Sequence, residues 1–250
     1  PPEDFWRWAN WSDDVVQGTY PTKNRNERGE GLAGAHPEFV AYVDGLIADR
    51  RREPTDDFIT RLINTEVNGR KLTEIEARTQ LVFLFVSGNE TTRHLIGNLL
   101  WRVSTDPELF ATLKNDRSLI PLAVEECLRL DPPVKFLMRN CMMDSNVADV
   151  EIPAGAKVAF GIGSGNRDDN KFDDGNSFRL DRSDPRSHLS FGGGPHVCPG
   201  AMLARLEARV ALDVFLDRVK EVALVDSEFK GVEVFWAHGP ATLLANIAGN

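Results

Sequence analysis

The sequence predicts a mainly helical α+β domain, because the periodicity of its apolar residues changes partway along the chain. Amphipathic helical patterns occupy most of residues 1–130. Short segments typical of β-strands follow, and one further helical pattern at about 200–219 precedes the last strands. Helices therefore come before most strands, without the regular alternation of a βαβ protein, and we expect small sheets beside a helical body.

Helical patterns dominate the first 130 residues. Their predicted ranges are 1–17, 37–53, 56–67, 73–104, 107–115 and 118–130, and the polar, glycine-rich residues 18–36 are expected to form a loop. The longest helix begins with a capping box of Thr73 and Glu76. Its run Leu81–Val86 is apolar on every side, which predicts burial in the centre of the protein.

The second half of the chain carries shorter elements. Strands are expected within residues 134–142 and 150–160, the second segment as two strands joined by a Pro-Ala-Gly turn. Residues 161–190 are rich in Asp, Asn, Gly and Arg and are expected to be loop-like.

The composition argues against several classes of protein. Acidic residues outnumber basic ones, 38 to 29, and the net charge of -9 is unlike that of a nucleic-acid-binding protein. No segment is long and apolar enough to predict a membrane span. The three cysteines lack CxxC spacing, which predicts neither a disulfide framework nor a zinc site and indicates a reducing compartment, the cytoplasm.

Polar residues interrupt the longest helix directly after its apolar run. The segment Ser87–Arg93 includes Glu90 and Thr91, and apolar residues resume at Leu95, which argues against a helix end. A buried carboxylate costs free energy unless it is solvated or paired. The segment therefore indicates either a functional carboxylate–hydroxyl pair or ordinary surface residues.

A second, weaker signal lies in the helix at 118–130. Glu126 and Arg129 are three residues apart on one helical face, where they can form an ion pair. Such pairs are common on solvated surfaces, so the spacing alone does not indicate a function.

The segment Phe191–Gly200, FGGGPHVCPG, places four glycines and Cys198 immediately before a helix. A phosphate-binding loop would need Lys-Ser/Thr where Cys-Pro-Gly stands. Cys198 as a nucleophile, with His196 as its base, suits a helix N-terminus. Cys198 as a metal-ligating thiolate is equally consistent, since the glycines give a flat cofactor room. A buried structural cysteine is the fourth interpretation.

A nicotinamide-binding dehydrogenase is a weaker alternative. It depends on FGIGSGN at residues 160–166, with Asp181 twenty residues after Gly161. A loop is expected after this pattern, where a dinucleotide-binding fold needs a helix.

Residues 191–207 together, FGGGPHVCPG followed by AMLARLE, resemble the haem-binding signature of the cytochrome P-450 family. Four further segments are similar to family motifs and occur in the family's order: SGNETT, ECLR, NRD at 166–168 and FRLDR at 178–182. The resemblance implies the P-450 fold, with a long central helix, a haem-loop helix and small sheets. It also implies haem b as cofactor.

The resemblance implies a role for each matching residue. Cys198 corresponds to the axial ligand of the haem iron, and Arg139 and His196 to contacts with the haem propionates. The remaining matches are the loop residues Phe191, Gly192 and Gly200, the proton-delivering pair Glu90 and Thr91, and the structural ion-pair triad Glu126, Arg129 and Arg182.

The resemblance covers the chain but only the C-terminal part of the family fold. We therefore expect residues 1–250 to be the C-terminal part of a single P-450 domain. Within it, residues 1–72 would form substrate-channel helices and a loop, 73–130 the central and E-x-x-R helices, and 131–250 a small sheet, the meander, the haem loop and the last helix. A haem-poor remnant or a self-associating structural fragment is the alternative.

The activity implied is that of a monooxygenase of the soluble bacterial type, which inserts one oxygen atom of O2 into a small lipophilic substrate. Electrons would come from NAD(P)H through a ferredoxin and ferredoxin reductase, docking near Arg205 and Arg209. No nucleic acid is expected as a partner. The residues expected to face the substrate are Val86, Ser87, Glu90, Phe136 and Leu137.

Overall fold

The computed structural model describes residues 4–17 and 36–249, which belong to two compact units. The first unit ends at Glu90 and the second begins at Thr91, so the boundary falls within the long helix α4 (Glu74–Thr105). Each unit has an apolar core of its own.

The first unit is built from short helices and the start of α4. Its elements are α1 (Phe5–Gln17), α2 (Pro37–Arg52), α3 (Phe58–Asn64) and a hairpin of β1 (Glu66–Val67) and β2 (Arg70–Lys71). Aromatic side chains contribute to its core: the Trp11 and Phe39 rings stack with their centres 5.3 Å apart. An ion pair between Arg78 of α4 and Asp44 of α2, with distances of 2.6 and 2.7 Å, links two of these helices.

The start of α4 follows the predicted capping box. Thr73 N–H donates to Glu76 Oε2 at 2.8 Å, and Glu76 N–H donates to Thr73 Oγ at 3.3 Å, so the prediction is confirmed. The predicted all-round burial of the run 81–86 is wrong. Val82 and Val86 are buried, but Phe83 and Leu84 are 57% and 44% exposed, because the core of this unit covers only one face of the helix.

The second unit contains the remaining helices and three two-stranded antiparallel sheets. Its helices after α4 are α5 (Pro107–Asn115), α6 (Ile120–Leu130), α7 (Ile162–Gly165) and α8 (Ala201–Arg218). Its sheets pair β3 (Phe136–Asn140) with β6 (Lys157–Gly161), β4 (Ser145–Val147) with β5 (Val150–Ile152), and β7 (Val219–Leu224) with β8 (Ala245–Gly249). Leu128 of α6 and Leu212 and Leu216 of α8 are fully buried in its core.

Strand pairing differs from the sequence-based expectation. The strands on either side of the Pro-Ala-Gly turn do not pair with each other, since β5 pairs with β4 and β6 pairs with β3. The helix predicted over 56–67 ends at Asn64, because Asn68 and Gly69 adopt positive φ and turn the chain into the β1–β2 hairpin. The loop predicted for 18–36 lies outside the described residues, apart from His36.

The described residues are mainly helical with small antiparallel sheets, as predicted. No helix in residues 4–17 and 36–249 combines the length and the hydropathy needed to cross a bilayer.

Candidate functional site

The glycine-rich segment folds into a tight loop at the start of α8. Gly192 and Gly194 have φ angles of +69° and +59°, which L side chains rarely adopt. Cys198 N–H donates to the Phe191 carbonyl at 2.8 Å and closes the loop. The half-buried Cys198 side chain is therefore held three residues before Ala201, the first residue of α8.

The surface around this loop is open and apolar. A Cβ placed on Gly193 or Gly194 would meet no atom within 4 Å. Val197 in the loop and Met202 and Leu203 at the start of α8 are exposed. A thiol among bare backbone and exposed apolar side chains fits a flat, apolar group that binds through one axial ligand.

Two side chains that can contact a carboxylate are exposed in the same unit. His196 ends the short 3-10 turn Gly194–His196 within the loop. Arg139 lies on β3, and its guanidinium carbon is 5.4 Å from the centre of the Phe160 ring on β6. Their chemistry suits the propionate groups of a haem.

A metal centre with several protein ligands is not present in the described part of the chain. No group of three or more His, Cys, Asp or Glu side chains there is arranged to hold a metal ion. Cys198 offers a single sulfur donor, which suits a metal whose other ligands belong to a cofactor.

Behind the loop, Glu126 is the centre of a buried ion-pair triad. It accepts hydrogen bonds from Arg129 at 2.7 and 2.8 Å and from Arg182 at 2.8 and 3.0 Å. Burial raises the pKa of the Glu126 carboxyl, but the hydrogen bonds from Arg129 and Arg182 outweigh it and lower the pKa. The carboxylate is therefore ionised at neutral pH.

Arg129 also fixes the irregular segment that precedes the loop. Its Nη1 donates to the carbonyls of Asn166 and Gly175, both at 2.7 Å, and its Nη2 to that of Ser177 at 3.0 Å. A Cβ on Gly175 would lie 2.4 Å from the Arg167 carbonyl oxygen, so this close approach requires glycine.

A second buried carboxylate was not singled out by the sequence. Glu125, next to Glu126, binds Arg205 at 2.7 and 3.0 Å and His188 at 3.1 Å. The doublet of Glu125 and Glu126 in the sequence was the available signal, but its partners lie 80 and 63 residues away. Arg205 is 11% exposed, so its charge is directed at Glu125 and is largely withdrawn from the surface.

Glu90 and Thr91 are consecutive residues within α4. Glu90 is only 4% exposed and Thr91 is half-buried. The helix continues to Thr105, so these residues do not mark its end.

The comparisons with known proteins identify the family. A family model described as Cytochrome P-450 matches residues 25–222. The chain belongs to the cytochrome P-450 family. It is 36% identical over 230 residues to a biotin biosynthesis cytochrome P-450 of Bacillus subtilis, covering 92% of this chain and 58% of that protein. It is likewise 36% identical over 219 residues to the erythromycin C-12 hydroxylase of Saccharopolyspora erythraea, covering 87% of this chain and 55% of that protein.

Solved structures support the same assignment. The P-450 CYP109E1 from Bacillus megaterium in complex with testosterone superposes with a TM-score of 0.82 at 33% identity, covering all of this chain and 67% of that one. The predicted P-450 fold is therefore confirmed. The chain spans about half the length of the curated P-450 relatives it matches.

The assignment to the P-450 family also decides between the alternatives. Cytochromes P-450 are monooxygenases that bind haem b. The dehydrogenase alternative fails, because β6 pairs antiparallel with β3 and the helix after it has four residues. A dinucleotide-binding fold requires parallel strands and a full crossover helix.

Proposed function

We propose that the protein carrying this chain is a haem-thiolate monooxygenase that inserts one oxygen atom of O2 into a lipophilic organic substrate. The observation that carries the proposal is the half-buried Cys198 thiol, held before α8 by the hydrogen bond from its own N–H to the Phe191 carbonyl. Membership of the P-450 family supports it.

Cys198 is proposed to hold haem b through its sulfur. Phe191, Gly192 and Gly200 would shape the loop that presents this sulfur, and Arg139 and His196 would bind the haem propionates. A haem held by a cysteine sulfur would supply oxygen activation, since thiolate ligation favours O–O cleavage. Support comes from the open backbone of the loop and the apolar side chains exposed around it.

Glu90 and Thr91 are the proposed proton-delivering pair. The Glu90 carboxyl would take up and release protons. The Thr91 hydroxyl would pass a proton on through the hydrogen bond that its Oγ donates. Their consecutive positions within a helix and the burial of Glu90 support this assignment.

Electrons are proposed to come from NAD(P)H through a ferredoxin and ferredoxin reductase that dock near α8. The association of relatives with other proteins is consistent with a docking surface on this fold, since a related P-450, BioI, has been solved in complex with an acyl carrier protein bearing hexadec-9Z-enoic acid. Because Arg205 is bound to Glu125, we expect Arg209 and other side chains to supply more of the docking charge.

The substrate is proposed to be a small lipophilic compound. Relatives include a P-450 solved in complex with testosterone and an erythromycin C-12 hydroxylase. Phe136 and Leu137 are further residues proposed to face the substrate.

The test is the haem content of the purified protein. We expect one haem per chain and a thiolate-type absorption band after reduction under CO. Cys198→Ser should abolish that band, and Cys141→Ser, which alters another half-buried cysteine, should leave it intact. A folded protein that takes up no haem would contradict the proposal and favour the alternative of a haem-poor remnant.

A further inference from the structure

The Glu125 carboxylate ties α6 to the helix that follows the Cys198 loop. Glu125 lies on α6 and its side chain is 5% exposed. Its Oε1 accepts from Arg205 Nε at 2.7 Å, and its Oε2 accepts from Arg205 Nη2 at 3.0 Å. Because Arg205 lies on α8, this paired hydrogen bond fixes both the position and the plane of its guanidinium.

His188 joins the cluster from the chain that enters the loop. Its Nε2 is 3.1 Å from Glu125 Oε2, and Ser190 N–H donates to its Nδ1 at 3.3 Å. A neutral imidazole with its proton on Nε2 satisfies both contacts. Arg186 adds a longer contact of 3.4 Å to Glu125 Oε1, through a side chain that stays exposed.

Both close partners of Glu125 reach the Phe191 ring. The guanidinium carbon of Arg205 is 4.4 Å from the centre of that ring, a cation–π distance, and the His188 ring centre is 6.1 Å away. The Phe191 carbonyl in turn accepts the Cys198 N–H at 2.8 Å. A continuous series of contacts therefore runs from Glu125 to the backbone of Cys198.

We propose that Glu125 and Arg205 are positioning residues that hold the Phe191 ring, and with it the backbone of Cys198, in the geometry needed to present the sulfur to a metal. This inference rests on the proposed function, since it gives the cluster a purpose in haem ligation. The neighbouring triad does not contact the Phe191 ring directly, since the Arg129 hydrogen bonds go to the carbonyls of residues 166, 175 and 177.

The charge of Glu125 is what fixes the arginine plane. A carboxylate offers two equivalent oxygens to the two donors of Arg205, whereas a glutamine in its place offers one oxygen and sets an NH2 group against the other donor. Glu125→Gln therefore keeps the size of the side chain while freeing the guanidinium to tilt away from the Phe191 ring. The loop should then open at a smaller cost in free energy.

Amide hydrogen exchange on the purified chain without haem measures this opening. The amides of Gly192 and Cys198, which donate to the carbonyls of Leu189 and Phe191, report on the loop. We expect Glu125→Gln to speed their exchange at least about tenfold relative to core amides of α6, as for the loss of a hydrogen bond to a charged group. Haem titration of the unaltered chain tests the proposed function separately.

Asp131→Asn is the matched control. Asp131 forms a similar buried pair with Arg102, at 2.6 and 2.9 Å, away from the loop. This variant should lower global stability without a selective effect on Gly192 and Cys198. In the haem-loaded protein, Glu125→Gln should raise the fraction of the reduced CO complex in the thiol-type form, and Asp131→Asn should not.

Arg205→Lys tests the same idea if Glu125→Gln does not fold. Lysine keeps a cation beside Glu125 but cannot lay a planar group on the Phe191 ring. Faster exchange at Gly192 and Cys198 in either variant supports the proposal. It is overturned if the folded variants exchange at these amides within about twofold of the unaltered chain, or if Asp131→Asn speeds them equally.

Discussion

Arg129 and Glu126, three residues apart on α6, are joined by two hydrogen bonds of 2.7 and 2.8 Å, and both side chains are shielded from water. Glu126→Gln would leave Arg129 and Arg182 without a counter-charge in the interior. Removing one partner of a buried ion pair costs about 3–5 kcal/mol, so we expect a loss of this order in the free energy of unfolding, measured by urea titration.

Asp181→Asn is the control for that substitution. Asp181 forms an exposed pair with Arg179 at 3.0 Å, and exposed pairs contribute little to stability. An equal loss in both variants would show that the burial of Glu126 is not what makes its ion pair important.

Gly175→Ala should destabilise the protein through a backbone clash. The new Cβ would lie 2.4 Å from the Arg167 carbonyl oxygen, so the backbone has to move. The Gly175 carbonyl also accepts a hydrogen bond from Arg129, which this movement would disturb. We expect a loss of about 1–3 kcal/mol in unfolding free energy.

Gly45→Ala is the matched glycine control. Gly45 lies within α2, and a Cβ there meets no atom within 4 Å. Alanine should raise stability by about 0.5–1 kcal/mol, because glycine within a helix is entropically unfavourable. A gain in stability for Gly175→Ala as well would contradict the clash.

The contribution of Glu125 to stability should depend on pH. Burial raises the pKa of its carboxyl, but the hydrogen bonds from His188 and Arg205 outweigh it and lower the pKa from 4.5 to about 2. A carboxyl group whose pKa is lowered by folding stabilises the folded state at pH values above its unfolded-state pKa. That contribution is lost as the pH falls through the folded-state pKa.

Urea unfolding of the unaltered chain and of Glu125→Gln tests this dependence. The stability difference should be largest at neutral pH and should narrow as the pH falls from about 4.5 toward 2. Arg205, His188 and Arg186 are the charged or titratable groups that contact the carboxylate. A difference that is constant across this pH range would show that ionised Glu125 is not responsible.

Thr91→Ala should separate oxygen consumption from product formation if the proposed function is correct. Without the Thr91 hydroxyl, proton delivery would be misdirected, and O2 would be reduced to hydrogen peroxide, with two electrons from each NAD(P)H and two protons, instead of being inserted into the substrate. The ratio of peroxide formed to NAD(P)H oxidised, measured with reconstituted redox partners, should rise.

Thr79→Ala provides the comparison on the same helix. The Thr79 hydroxyl is exposed and donates to the Ile75 carbonyl at 2.7 Å, so its loss should leave the ratio unchanged. An unchanged ratio in Thr91→Ala would remove Thr91 from the proposed proton path.

Local signals were sufficient to predict much of the fold. The capping box before α4, Pro107 at the start of α5 and the helical pattern of α8 each depend on residues close in sequence. Strand β4 was not predicted, because Ser145–Val147 is short and fully exposed and has no alternating apolar face. The pairing of β3 with β6 depends on tertiary contacts that periodicity does not encode.

Site residues could be predicted where they belong to one short sequence motif, but not where their interaction partners are distant in the sequence. The segment Phe191–Gly200 carries its pattern within ten residues, so Cys198 could be singled out. Glu125 could not be singled out, because no residue near it in the sequence indicates that His188 and Arg205 are its partners. Phe83 is exposed although burial was predicted for it, because an apolar run alone does not reveal which face of a helix the core covers.

The three carbonyls bound by Arg129 also constrain the order of folding. They belong to residues 37, 46 and 48 positions further along the chain, so one side chain closes several long loops. Closing loops of this length costs conformational entropy that is offset only once the non-local contacts form, so we expect these hydrogen bonds late in folding. During synthesis, Arg129 of α6 therefore cannot form all of these hydrogen bonds until the segment through residue 177 has left the ribosome.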